Sequence, residues 1–167
     1  MSKVFVGLGS NLVHPRLQLA RAVDSLARLP RTHVLAVSPN YLSEPIGTST
    51  SQPDYVNAVA VLSTALAPRA LLARLHAIEH DQRRQRHNAL RGAPRTLDLD
   101  LLLFGRLRAR LPHLAIPHPR MHTRAFVLRP LTDVAPAVVI PGHGAARRLL
   151  RNVASQRIAR TRAHRGG

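Results

Sequence analysis

Hydrophobic and polar positions follow two different periods along this chain. Apolar runs with period two or rich in β-branched residues predict strands at residues 3–8, 33–42, 55–62 and 97–104. Apolar residues three and four positions apart, bounded by prolines, predict helices at residues 15–29 and 68–82. The order β-α-β-β-α-β is typical of an α+β protein with a ferredoxin-like core, in which helices pack on an antiparallel sheet.

Turn-forming and polar residues mark the connections between these elements. Residues 43–53 are rich in Pro, Gly, Ser and Thr, and residues 83–94 form a basic, irregular loop. The eleven residues of the first connection exceed the usual loop length, which favours a functional or mobile loop there. After the last core strand we expect a C-terminal extension with a short hairpin at residues 107–111, a helix near residues 123–134 and a basic end.

Length and composition indicate one globular domain. The chain has 167 residues, of which 45% are hydrophobic, so it can bury a core. Residues 157–167 have almost nothing apolar to bury, so we expect a single domain at residues 1–156 and a frayed basic tail at 157–167. No apolar run reaches the ~18 residues of a membrane span. With no cysteine and no signal sequence, we expect a cytoplasmic protein, and we expect it to be a monomer.

The net charge of +17 raises the alternative of a basic nucleic-acid-binding module. Lys3 is the one lysine among the 25 basic residues, so the excess charge is almost entirely arginine. Aromatic residues make up only 3% of the chain, which leaves few platforms for base stacking. We therefore expect small-molecule substrates, with nucleic-acid binding as the alternative.

The two acidic residues within the last apolar run are the strongest chemical signal. Because side chains alternate along a strand, Asp98 and Asp100 point to the same face, with Cα atoms roughly 6.5–7 Å apart. At about 5 Å and an effective dielectric near 20, two such charges repel by about 3 kcal/mol. The pattern therefore predicts a positive partner there, either a metal ion or a substrate held by one.

Arginines precede this pair in the sequence and favour an anionic substrate. A guanidinium group binds phosphate oxygens in a planar fork, and paired carboxylates hold Mg²⁺, which bridges substrate phosphates. Phosphoryl transfer uses both features. The alternative is a solvated arginine loop beside a salt bridge. The arginines are Arg83, Arg84, Arg86, Arg91 and Arg95.

A second pattern, at residues 76–80, fits the H-x-x-E-H arrangement of some zinc peptidases. His76 and His80 would share one helical face, but the sequence offers no evident third ligand. Such short patterns recur by chance in a chain with ten histidines, so we set the zinc hypothesis aside.

The block that ends in the paired aspartates reads R-G-A-P-R-T-L-D-L-D-L-L. It resembles the signature of the 6-hydroxymethyl-7,8-dihydropterin pyrophosphokinases of folate biosynthesis. Other blocks resemble the opening turn, the third-strand entry and the downstream region of that family, in the same order along the chain. These blocks are residues 91–102, 9–12, 52–58, 117–120 and 124–128.

The resemblance implies a Mg²⁺-dependent enzyme that moves the β,γ-pyrophosphoryl group of ATP to the pterin and releases AMP. By similarity, Asp98 and Asp100 bind two Mg²⁺ ions and are catalytic together with Arg84 and Arg95. The residues that match the ATP site of the family are His76, Glu79, Arg86, Arg95, Leu101, His118 and Arg124.

The resemblance also implies a pterin pocket. A flat heterocycle favours aromatic faces, and its amide-like edge favours a matched donor and acceptor. Residues 43–53 and 83–93 would then close over the substrates and exclude water. The residues that match the pocket are Ser43, Pro45, Ile46, Tyr55, Asn57 and Phe126.

Overall fold

The structure is a computed structural model that describes residues 1–43, 55–84 and 97–161. Four α-helices accompany ten strands over these residues. The helices are α1 (Pro15–Ala27), α2 (Pro68–Arg84), α3 (Ala125–Val134) and α4 (Ala146–Asn152). The strands are β1 (Ser2–Ser10), β2 (Thr32–Val37), β3 (Tyr41–Ser43), β4 (Tyr55–Thr64), β5 (Leu97–Phe104), β6 (Ala109–Leu111), β7 (Leu114–Ile116), β8 (Val139–Ile140), β9 (Gly144–Ala145) and β10 (Ile158–Arg160).

An antiparallel sheet forms the centre of the molecule. Its strand order is β10-β3-β4-β1-β5, and β2 pairs with β4 beside β3. The long strand β4 pairs with β1 along its whole length, from Ser2 opposite Thr64 to Ser10 opposite Val56. The predicted combination of helices with an antiparallel sheet is therefore confirmed.

The alternation of side chains along the strands gives the sheet two apolar faces. Residues such as Val6, Leu97 and Leu99 form one core with α1 and α2. Residues such as Phe5 and Val59 form a second core with α3 and the segments around it. The helices thus cover both faces, but α3 packs mainly against β4.

The predicted strand at residues 33–42 is in fact two strands, β2 and β3, which pair with opposite halves of β4. Ser38 occupies the break, where its backbone N–H donates to the Val59 carbonyl and its Oγ accepts from the Val59 N–H, both at 2.9 Å. The next residue is Pro39, which has no N–H to continue a ladder. The prediction of one continuous strand was therefore wrong.

The expectation of a frayed tail from residue 157 onward is wrong for Ile158–Arg160. These residues form β10, which pairs antiparallel with β3 at the edge of the main sheet. The segment just before it is tied down by Gln156. Its side chain accepts from the Ala125 N–H and donates to the Thr123 carbonyl, both at 2.8 Å. Residues 162–167 lie outside the described residues.

Candidate active site

The paired aspartates project from β5 over a strip of glycine on β1. Asp98 lies opposite Gly9 and Asp100 lies opposite Gly7, so the cross-strand neighbours have no side chains. Both aspartates are partly exposed, whereas Leu97 and the other residues between and around them are buried on the opposite face. The predicted same-face arrangement of the two carboxylates is confirmed.

Gly7 and Gly9 leave open space above the sheet, and the sequence pattern did not predict this space. We expected a turn to begin at Gly9, but β1 continues through Ser10. A Cβ atom on Gly9 would lie 3.1 Å from Asn57 Oδ1, which is tighter than ordinary contact. The signal available in the sequence was the G-x-G spacing within an otherwise apolar strand.

A polar group lies on the far side of this glycine strip. Gly9 is also paired with Asn57 on β4, so Asp98, Gly9 and Asn57 form a row across three strands. Neighbouring strands are about 4.8 Å apart, so the row spans roughly 10 Å. Asn57 is buried, and its Nδ2 donates to Ser43 Oγ at 2.6 Å and to the Tyr55 carbonyl at 3.4 Å.

The remaining residues matched to the pterin pocket are only partly within the described chain. Tyr55 pairs with Ser43 across β3 and β4 and is half-buried. Phe126 lies in the first turn of α3, where the Arg124 guanidinium carbon is 5.4 Å from the centre of its ring. That distance fits a cation–π contact. Pro45 and Ile46 lie outside the described residues.

Negative charge is concentrated on the α2 side of the carboxylate pair. Arg83 Nη2 lies 3.6 Å from Glu79 Oε2 and also 3.6 Å from Asp98 Oδ1. The pKa of the Glu79 carboxyl is raised to about 7, first by burial and then by the charges of Asp98 and Asp100, against the opposing effect of Arg83. Arg83 therefore contacts two of the three neighbouring carboxylates, and an additional cation would reduce the repulsion that Asp98 and Asp100 exert on Glu79.

A cleft of about 290 Å³ opens beside this acidic group, between α2, β5 and the segment after β7. Four of the residues matched to the ATP site contribute to its lining, together with Asp100. Those four residues are His76, Glu79, Leu101 and His118.

His118 has a defined orientation at this cleft. Its backbone N–H donates to the Leu102 carbonyl at 2.9 Å, and its Nδ1 accepts from the Arg120 N–H at 3.1 Å. Burial lowers the pKa of the imidazole; Asp100 opposes the shift, and Arg124 and Arg120 reinforce it. A neutral ring with Nδ1 engaged in this way leaves Nε2 as the nitrogen that can interact with a ligand.

Only two of the four arginines matched to the phosphate-binding positions lie within the described residues. Arg84 is exposed at the end of α2, and Arg124 precedes α3. Arg86 and Arg95 lie outside the described residues. The sequence placed Arg83 among the arginines that favour an anionic substrate, whereas the structure pairs it with Glu79 and Asp98. Its i, i+4 spacing from Glu79 on the helix was a visible signal of the first of these pairs.

The donor set near Asp98 and Asp100 fits magnesium better than zinc. Two partly exposed carboxylates provide the hard oxygen ligands that Mg²⁺ prefers. Their charges add to the effect of burial in raising the pKa of Glu79. Within residues 1–43, 55–84 and 97–161, no cluster of three or more His, Cys, Asp or Glu side chains could hold a metal ion. The zinc arrangement considered for residues 76–80 therefore gains no support.

A family model for 7,8-dihydro-6-hydroxymethylpterin-pyrophosphokinase (HPPK) matches residues 5–136 of the chain. The chain belongs to this family. Its relatives include the 2-amino-4-hydroxy-6-hydroxymethyldihydropteridine pyrophosphokinase of Pseudomonas aeruginosa, which is 52% identical over 141 residues, covering 84% of this chain and 85% of that protein. The enzyme of the same name from Haemophilus influenzae is 40% identical over 158 residues, covering 95% of this chain and 97% of that protein.

Solved structures of HPPK-DHPS proteins from Plasmodium falciparum share the fold of this HPPK family member. One of them matches with a TM-score of 0.70 at 13% identity, over 92% of this chain. The match covers 46% of that longer chain, so this protein spans slightly under half of its length. At such low identity the similarity supports the architecture and no residue role.

No helix among the described residues is both long and apolar enough to cross a membrane.

Proposed function

We propose that this chain transfers the β,γ-pyrophosphoryl group of ATP to the hydroxymethyl group of 6-hydroxymethyl-7,8-dihydropterin in folate biosynthesis. The hydroxymethyl oxygen forms a bond to the β-phosphorus and loses its proton. The bond between the β-phosphorus and the oxygen bridging to the α-phosphorus breaks, and AMP leaves. The observation that carries the proposal is the position of Asp98 and Asp100, between the Asn57 group and the cleft lined by Glu79 and His118.

Asp98 and Asp100 are the residues that would hold Mg²⁺, with two ions expected at the site. When bound, Mg²⁺ supplies neutralisation of the phosphate charge and orients the oxygens. Arg83 holds Asp98 from the α2 side, and the glycine strip keeps the opposite side open. The strand therefore places both carboxylates on one face before any substrate binds, which lowers the cost of assembling the site.

The cleft on the α2 side is the proposed ATP site. His76, Glu79 and Leu101 line it beside Asp100, and the neutral His118 offers Nε2 to a phosphate or ribose oxygen. The guanidinium groups proposed to bind the triphosphate are those of Arg84, Arg86, Arg95 and Arg124. Arg84 and Arg95 are the two proposed as catalytic, because charge on the transferred group is best stabilised by planar, bidentate donors.

The Asn57 side is the proposed pterin site. The hydrogen bond from Asn57 to Ser43 leaves the amide Oδ1 directed near Gly9, where an edge of the heterocycle can be recognised. Tyr55 and Phe126 provide aromatic faces. Pro45 and Ile46 complete the set proposed for this pocket. The row from Asn57 to Asp98 places the pterin beside the proposed metal site.

Four further assignments are part of the proposal. The sheet order β5-β1-β4-β2, with helices after β1 and β4, supports a ferredoxin-like core. Residues 1–156 are proposed as the single catalytic domain, extended by the pairing of β10 with β3. The absence of cysteine supports a cytoplasmic location. The protein is expected to be a monomer, and analytical ultracentrifugation measures its mass in solution.

An AMP-release assay with purified protein tests the proposed reaction. AMP should form only when ATP, Mg²⁺ and the hydroxymethyl-dihydropterin are all present, together with one equivalent of pterin pyrophosphate. Leaving out the pterin or chelating Mg²⁺ should each abolish AMP formation. Folded protein that releases no AMP with all three components present would overturn the proposal.

The alternative of a nucleic-acid-binding module is not supported. The family match covers most of the chain, and the high net charge fits a family that handles a triphosphate.

A further inference from the structure

A second and larger cavity, of about 470 Å³, lies on the other side of the segment that carries His118. The hairpin β6–β7 and the turn between β8 and β9 form its walls. Ala115 and Pro119 line both this cavity and the proposed ATP cleft, so one thin wall separates the two. None of the residues assigned above to the pterin, the metal or ATP lines the larger cavity.

The cavity differs from the ATP cleft in the sign of its charge. Arg108, Arg110, His122 and His143 line it, and none of its described lining residues is acidic. The rings of His122 and His143 are stacked, with centres 3.7 Å apart and an angle of 12° between their planes. Burial lowers the pKa of His143, with His122, Arg108 and Arg110 adding to the effect. The other three basic groups therefore lie close enough to His143 to act on it.

Two local features indicate a site shaped for a ligand. The Nδ1 atom of His122 is buried and makes no hydrogen bond to any of the described residues, although buried polar atoms normally have a partner. A Cβ atom on Gly142 would lie 2.8 Å from Arg108 Nη2. The guanidinium group therefore lies against the bare backbone at Gly142, which also has a positive φ of 83°.

We propose that this cavity binds a small multivalent phosphate anion. Guanidinium groups match pairs of phosphate oxygens, and imidazole nitrogens supply further donors. Four of the described lining residues are basic and none is acidic, and Arg108 and Arg110 are exposed, so the cavity presents two solvent-accessible guanidinium groups to an anion. The phosphate belongs either to inorganic pyrophosphate or to the phosphate chain of a nucleotide.

Imidazole signals in carbon–proton NMR spectra test the proposal, because each cavity has its own histidines. His122 and His143 report on the basic cavity, whereas His76 and His118 report on the ATP cleft. The wild-type protein is titrated with inorganic pyrophosphate in magnesium-free buffer. Saturable shifts of the His122 and His143 signals are expected, with assignments from His122→Gln and His143→Gln. Shifts confined to His76 and His118, or no saturation, would overturn the proposal.

A matched pair of variants tests whether the cavity arginines carry the binding. Arg108→Gln with Arg110→Gln should raise the apparent Kd for pyrophosphate at least about tenfold, as expected for lost charge-assisted hydrogen bonds. Arg147→Gln with Arg151→Gln is the matched control, because it removes the same charge from α4 at positions that are exposed like Arg108 and Arg110, and it should change the Kd less than about twofold. Equal increases in the Kd for pyrophosphate in both double variants would show non-specific attraction and overturn the proposal.

Folding and ligand identity are controlled separately. If circular dichroism shows that the first double variant is unfolded, Arg110→Gln alone is compared with Arg147→Gln by the change in the Kd for pyrophosphate. A parallel titration with a nucleoside diphosphate distinguishes the two phosphate sources. A lower Kd for pyrophosphate at His122 and His143 identifies the inorganic anion, whereas a lower Kd for the diphosphate identifies a nucleotide. Failure of both ligands to shift these signals contradicts the proposal, whatever the AMP assay shows.

Discussion

The two faces of β5 perform different tasks with adjacent residues of one strand. Leu97, Leu99 and Leu101 point toward α1 and α2 and are buried in the core. Asp98 and Asp100 point the other way, over glycines, and remain partly exposed. The leucines gain stability from burial, whereas the aspartates place like charges near one another at a cost in stability.

This contrast indicates that the strand holds the carboxylates in an unfavourable arrangement by means of its apolar face. Substitutions on the leucine face should therefore change stability and leave the chemistry of the folded molecules intact. Substitutions on the aspartate face should lower activity and leave the stability unchanged or increased. A site residue whose removal stabilises the protein is a common consequence of such a division.

The largest effect is expected from Asp100→Ala. Loss of a proposed Mg²⁺ ligand should lower kcat by about 10³-fold, because metal-based charge stabilisation is worth several kcal/mol. The melting temperature should stay within a few degrees of wild type or rise, since one of two like charges is removed. The AMP assay and a thermal melt measure the two effects, with the exposed Asp81→Ala on α2 as the control. Near-normal turnover in Asp100→Ala would show that the metal site lies elsewhere.

Leu97→Ala should give the opposite result. Leu97 is 0% exposed, so truncation should cost about 2–5 kcal/mol of unfolding free energy through the cavity it leaves. Activity per folded molecule should change less than about threefold in assays at low temperature. Urea unfolding measures the stability, and the exposed Leu107→Ala provides a control. A loss of kcat as large as that of Asp100→Ala would break the division between the two faces.

Glu79→Gln should stabilise the magnesium-free protein at high pH. The pKa of Glu79 is about 7 in the folded protein against an ordinary value of 4.5, so the folded state binds this proton more tightly. The contribution of Glu79 to the free energy of unfolding is therefore most favourable below pH 4.5, and it is lost as the pH rises through 7. The variant should exceed wild type by about 1–3 kcal/mol at pH 8.

Urea unfolding at several pH values measures this difference, which should shrink toward pH 4.5. Saturating Mg²⁺ should also reduce it at pH 8, because bound cations relieve the repulsion from Asp98 and Asp100. A difference that does not depend on pH would indicate a packing effect instead of the proposed electrostatic one.

The smallest effect is expected from the glycine strip. A Cβ atom at position 9 would approach Asn57 Oδ1 to 3.1 Å, so Gly9→Ala should raise the KM for the pterin about tenfold. Gly7→Ala is the matched control, because its Cβ would meet the Leu102 side chain at 3.4 Å, an ordinary contact distance. Both variants should remain folded. Equal KM values for the two would show that the pterin does not lie beside Asn57.

Local features of the fold were predictable from the sequence, and one structural break was not. Helices α1 and α2 follow from the periodicity of their apolar residues, β4 follows from its β-branched content, and β5 follows from its apolar run. The break between β2 and β3 depends on Ser38 bonding to Val59 on another strand. The pairing of β10 with β3 likewise joins distant segments, which no local pattern specifies.

The same distinction applies to the site. Asp98 and Asp100 share a face because the side-chain period of a strand is two, which the order of residues already specifies. That Gly9 and Asn57 continue the row of Asp98, and that Arg83 contacts both Glu79 and Asp98, follows from the folded arrangement of the strands and α2. The tertiary structure also separated an acidic cleft from a basic cavity across one wall. Those relations depend on strand register and helix packing, which are set by long-range contacts.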